Sequence, residues 1–134
     1  MPTPLEERAF GRDLYFPLDH TEPITVTPTG DIATVAGNDT VNQGALRRVL
    51  TNPGSMTWRP EYGGGTQLYI EQNPDPGTLA AIARDNKRNV LQDPRVSDVV
   101  VGVSDEGAGV VGIELDIKTR NLEERSSVGV EVRL

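Results

Sequence analysis

Residues 96–118 read VSDVVVGVSDEGAGVVGIELDIK. Two apolar runs flank an acidic, glycine-rich middle. In the second run Val111, Ile113, Leu115 and Ile117 alternate with Glu114, Asp116 and Lys118. That period of two puts apolar side chains on one face of a strand and charges on the other. The first run is apolar nearly throughout, with Val99, Val101 and Val103 on a common face. Asp105–Gly109 has turn chemistry, so the stretch predicts a β-hairpin. Beyond the polar residues Asn121–Ser127, Val128, Val130, Val132 and Leu134 alternate against Glu131 and Arg133. A third strand with one apolar face follows.

Working back from the hairpin, Asp93-Pro94-Arg95 is a corner, because a proline pushes the preceding residue out of the helical region. The helix it ends begins at Asp75-Pro76. Aspartate suits the N-cap and proline the first helical position. Leu79, Ile82, Ala83 and Val90 form its buried stripe. An earlier helix is signalled by Thr40-Val41-Asn42-Gln43, which has the spacing of a capping box. Val41, Ala45, Leu46, Val49 and Leu50 share a face, Arg47 and Arg48 fall off it, and Pro53-Gly54 ends the helix. Ile24–Val26 and Ile32–Val35 read as a short hairpin about Pro28–Asp31. Residues 1–23 lack a period and are punctuated by Pro2, Pro4, Gly11 and Pro17, which predicts an extended N-terminal arm. The expected fold is α+β: two helices on a small, mostly antiparallel sheet, with residues 24–134 as one domain.

The 134 residues fit one domain and carry a net charge of −7. An acidic chain repels phosphate backbones, so nucleic acid is not an expected partner. No apolar run is long enough to span a bilayer, and the polar N-terminus does not read as a signal peptide. With no cysteine, there is neither a disulfide nor a thiolate site.

Reactive centres are poorly provided for. His20 is the single histidine, leaving no imidazole cluster for a metal and no base for Ser126 or Ser127. Gly63-Gly64-Gly65 lacks the Lys-Ser/Thr of a phosphate loop. Asp105 and Glu106 lack calcium-loop spacing. Glu61 and Glu71 could be nominated as a glycosidase pair, but acidic side chains on a glycine-rich loop are ordinarily solvated. The expectation is a chain with no cofactor and no catalytic residue. Trp58, Arg59, Tyr62, Gly63, Gly64 and Gly65 form a candidate interface loop, since successive glycines permit close approach of another backbone.

Several motifs in order carry a resemblance. They are Gly30-Asp31-Ile32-Ala33, Gln43 with Leu46 and Leu50, Thr51-Asn52-Pro53-Gly54, Pro60-Glu61-Tyr62-Gly63 and Asp93-Pro94-Arg95-Val96. Over roughly residues 31–134 the chain resembles the baseplate-wedge, or sheath-initiator, family of contractile phage tails. That family takes in the W protein of temperate myophages and the TssE subunit of type VI secretion systems, and some members have carried a lysozyme label. The family's corner has glutamate where this chain has Asp93, one methylene shorter.

The resemblance implies a structural protein in the virion tail baseplate, assembled in the host cytoplasm, with six copies around the tail axis. It implies that Asp93, Pro94 and Arg95 dock on the wedge proteins. It also implies strand addition by the tail sheath protein at the sheet edge formed by Val128, Val130, Val132 and Leu134. Tail tube or hub proteins would be further neighbours. The alternatives are a type VI secretion baseplate subunit and, less expected, a tail lysozyme.

Overall fold

The computed structural model describes residues 8, 10–15, 25–69, 72–120 and 125–133. The elements run β1 (Arg12–Leu14), β2 (Thr34–Ala36), α1 (Asn38–Leu50), a 3-10 turn (Thr66–Tyr69), α2 (Pro76–Val90), β3 (Val96–Gly107), β4 (Val110–Thr119) and β5 (Arg125–Arg133). β1 and β2 form an antiparallel ribbon, and β3-β4-β5 form an antiparallel sheet in that order. The fold is α+β, as the periodicity predicts.

The register explains why the alternating residues were informative. Val99 faces Ile117, and Val101 faces Leu115, which faces Val128 in turn; Ile113 faces Val130. One face of all three strands is therefore apolar, and Ile82 and Val90 of α2 and Val41, Leu46 and Val49 of α1 close over it. Each such fully buried aliphatic side chain is worth about 1.5–3 kcal/mol of transfer free energy. A register shift between Val96 and Asp98 brings Val96 into the same core.

The hairpin loop is tighter than expected. β3 continues through a second register shift to Gly107, leaving Ala108-Gly109 as a two-residue turn with φ of 53° and 75°. Both residues are left-handed, as the primed turn that matches strand twist requires.

At the N-terminal end of α2, the Asp75 carboxylate accepts the Thr78 amide at 2.8 Å, as a cap should. That bond holds the carboxyl below its ordinary pKa. The capping box on α1 is not formed. The helix starts at Asn38 behind Gly37, whose φ is 67°, and no side chain caps it. Thr40 instead donates to the Gly11 carbonyl at 3.4 Å, and Gln43 donates to the Leu14 carbonyl at 2.7 Å. β1 and the Gly11 turn just before it supply acceptors that compete for both side chains.

That same strand corrects the reading of residues 10–15 as arm. Phe10 is 4% exposed and packs in the core, and Gly11 turns the chain at φ 77° into β1. The Tyr15 amide then donates to the Ala33 carbonyl at 2.9 Å. The expected hairpin about Pro28–Asp31 shrinks to one bridge, Val26 with Ile32, because Thr34–Ala36 pairs with β1. Thr66–Tyr69, directly after the glycines, is a 3-10 turn. Among the described residues no helix is long and apolar enough to cross a membrane.

Candidate functional site

β5 pairs with β4 without interruption from Val110 with Arg133 to Lys118 with Arg125, and among the described residues no strand lies on its other side. Val128, Val130 and Val132 thus complete the domain's own sheet and leave an open edge beyond it. Val132 is buried, while Val128 and Val130 are half-buried against the core. Leu134 lies outside the described residues. Deleting β5 from Val128 onward would strip Val111, Ile113 and Leu115 of their cross-strand neighbours Val132, Val130 and Val128.

Two concavities flank this edge, one on each face of the sheet. On the helix side a groove of about 440 Å³ runs beside Val128, walled by Tyr15 and Val35 of the ribbon segment and by Leu46 of α1. On the outer side a shallow trough of about 610 Å³ crosses all three strands. Its floor is flat where Gly102, Gly112 and Gly129 carry no side chain, and Glu106, Glu114 and Glu131 line it. Glu114 sits between Gly102 and Gly129 in the cross-strand register, and Gly112 sits between Ser104 and Glu131.

The corner is closed on itself. Asp93 is buried, and its carboxylate accepts from the Arg95 backbone amide at 3.0 Å, from Nε at 3.0 Å and from Nη2 at 2.7 Å. Arg95 Nη1 donates to the Phe10 carbonyl at 3.1 Å. Burial by itself would push the Asp93 carboxyl up; the Arg95 hydrogen bonds and the charges of Arg95 and Arg48 outweigh it, and the group sits below its ordinary value. The hydrogen bond to Asp93 raises Arg95 in turn. The shorter acid therefore reaches its partner, and the Arg95 guanidinium of the expected docking corner is engaged within the chain. It ties the Phe10 turn to the end of α2. Pro94 is exposed.

The candidate interface loop divides in two. Trp58 is 78% exposed and Arg59 is exposed beside it. Tyr62 lies between two guanidiniums, with Arg48 at 4.5 Å and Arg59 at 5.1 Å from the ring centre. Gly63, Gly64 and Gly65 are buried. A Cβ on Gly63 would come within 2.3 Å of the Thr51 carbonyl oxygen, and one on Gly64 within 1.8 Å of Asn86 Oδ1. The close approach these glycines permit is thus made to the chain's own helices. Glu61 is exposed and 4.0 Å from Arg59, and Glu71 lies outside the described residues.

Five polar residues matter more than the sequence suggested. Asn89 receives the Gly63 amide at 3.1 Å and donates to the Glu61 carbonyl at 3.0 Å, which pins the loop to α2. Asn86 donates to Thr66 Oγ1 at 2.9 Å. Arg48, expected on an outer face, is 6% exposed and donates to the Asn89 carbonyl and side chain at 3.4 and 3.3 Å. Its burial lowers its pKa, an effect opposed by Tyr62 and Asp93. Gln43 holds β1, as does Arg47 through an ion pair with Asp13. Asn86 and Asn89 stand at the stripe spacing of Ile82 and Val90, and polar residues at apolar positions are the signal that could have found them.

No protein-family model matches the chain, and no curated protein matches it. Solved structures do. A chain of the anti-feeding prophage baseplate, from a six-fold symmetrised reconstruction, superposes with a TM-score of 0.66 at 23% identity, covering 90% of this chain and 94% of that one. The fold is one used in a prophage baseplate. A candidate tail lysozyme from Geobacter sulfurreducens superposes with a TM-score of 0.64 at 20% identity, covering 72% of this chain and 90% of that one. Both cover nearly their whole length, so the likeness extends beyond a shared hairpin.

Proposed function

We propose that the chain is a structural subunit of a contractile-tail baseplate, that it docks on the wedge proteins, and that it starts the sheath by offering the free edge of β5 to an extended segment of a sheath subunit. The observation that carries this is the β5 edge itself. It is fully registered on one side, open on the other among the described residues, and backed by a packed core that holds it rigid. An unpaired ladder of backbone donors and acceptors is an aggregation hazard unless something covers it. In a protein whose fold recurs in a baseplate, a neighbouring subunit's strand is the fitting cover. Six copies around the tail axis, with tube or hub proteins nearby, belong to the same proposal.

The role needs no bond made or broken, and the chain is proposed to have no catalytic activity. Glu61, the one described member of the nominated carboxylate pair, lies on the exposed side of its loop beside Arg59. Purified chain incubated with peptidoglycan should release no sugar; release abolished by Glu61→Gln would overturn this part.

Gly129→Pro tests the edge. The variant's melting is checked first, since proline can also weaken the β4 ladder. Tails assembled with a folded variant should lack sheath. A second measurement stands without the variant: the amides of β5 should exchange more slowly in assembled baseplates than in the free chain. Normal sheathed tails from a folded Gly129→Pro chain, or unchanged exchange, would contradict the proposal.

A further inference from the structure

The two faces of the β5 edge differ in chemistry, and this specifies what can lie along it. A strand added beside β5 projects alternate side chains to the two faces of the sheet. Those on the helix side come beside Val128 and Val130, and those on the outer side beside Ser127, Gly129 and Glu131.

On the helix side the space next to Val128 is the 440 Å³ groove walled by Tyr15, Val35 and Leu46. It has room for a large aliphatic or aromatic side chain, and such a chain would cover Tyr15, which is 36% exposed. Its polar lip is Asp39 and Asn42 on α1, and Asn42 Oδ1 accepts the Ser126 hydroxyl of β5 at 2.9 Å.

On the outer side the surroundings are acidic, but the acids are not equivalent. Asp98 and Asp116 share Arg125, at 3.7 and 3.3 Å, and Glu106 accepts the Ser104 hydroxyl at 2.6 Å. No described cation pairs with Glu114 or Glu131. Gly129 leaves the path from the edge to Glu114 open, since it pairs directly with Glu114 and has no side chain of its own. The distance from an added strand to β4 is two strand spacings, roughly 9.6 Å. A lysine or arginine reaching across Gly129 and a glutamate reaching back can span that. Glu131 lies two residues along β5, on the same face.

We infer that the β5 edge selects an extended segment of another protein that alternates apolar and basic side chains: a large apolar residue in the groove beside Val128, and a neighbouring lysine or arginine laid over Gly129 toward Glu114 and Glu131. The inference rests on the edge reading above and adds the chemistry of the occupant. The net charge of −7 on the chain favours a basic partner in the same sense.

The full-length chain is titrated with three synthetic ten-residue peptides, one alternating leucine with lysine, one leucine with glutamate and one serine with lysine. Affinity is read by calorimetry and position by amide chemical shifts. The leucine–lysine peptide should bind at β5 at least ten-fold more tightly than either other peptide. Glu114→Lys with Glu131→Lys should reverse the preference toward leucine–glutamate, and Tyr15→Ser should shrink the advantage of leucine over serine. Binding at β5 with no preference, or a preference unmoved by these variants, overturns the inference and leaves strand addition standing. No binding at β5 by any of the three counts against the edge reading itself. Shifts at β5 that depend on protein concentration without peptide would make the occupant a second copy and overturn the inference too.

Discussion

Asp93 and Arg95 show what one corner contributes. Arg95→Ala removes two side-chain donors, Nε and Nη2, from a buried carboxylate and frees the Phe10 carbonyl. Breaking a buried pair by removing one partner is costly, and partial exposure of the arginine reduces the effect to about 2–3 kcal/mol. Thermal unfolding checks it. The pH dependence follows from the sign of the shift. A carboxyl held below its unfolded value near 3.8 contributes stability that is complete above that pH and is lost as pH falls through the folded value. The melting temperature should therefore drop less between pH 5 and pH 3 in Asp93→Asn than in the parent chain, starting from a lower value. If wedge binding is lost only in proportion to stability, the corner acts by holding residues 10–15 in place; if it is lost without loss of stability, Pro94 and the exposed side of Arg95 touch the partner. The motif was legible because proline imposes a backbone break. The buried Arg48 was not, because a charge on a helix reads as solvated until Tyr62 and Asn89, brought by distant segments, cover it.

Among elements, strands were the most legible. Their period of two reports directly on which face is buried, and every valine and isoleucine expected on the inner face of β3 and β4 lies there. The start of α1 was misread for a physical reason: Thr40 and Gln43 have local capping spacing, but the Gly11 and Leu14 carbonyls bind them instead. β1 itself, three residues long behind a glycine, carries too little pattern to announce a strand. The β3–β4 turn offers a clean test of local strain. Ala108 holds a left-handed φ of 53°, which costs a non-glycine residue roughly 1–2 kcal/mol. Asparagine tolerates that region, and Asn-Gly favours this turn. Ala108→Asn should stabilise the chain by about 1 kcal/mol in denaturant unfolding with an unchanged slope; no gain would mean that the turn is not strained.

For the whole molecule, the arrangement makes sense as a rigid holder. The core lies between two helices and one face of the sheet, and the segments that clamp it are polar and local to corners. Outward, among the described residues, lie a strand edge with no neighbour, an acidic glycine-floored face and an exposed Trp58. The proposed function was only partly legible in the sequence, because the edge it would use exists only once β5 has paired with β4, with no strand on its other side among the described residues.

The most direct test is a density map of an assembled tail baseplate containing this chain. A backbone ladder from a neighbouring subunit is expected along the outer side of Arg125–Arg133, with an apolar side chain beside Val128. A map in which that edge faces solvent, or the chain's own residues cover it, would contradict the proposal.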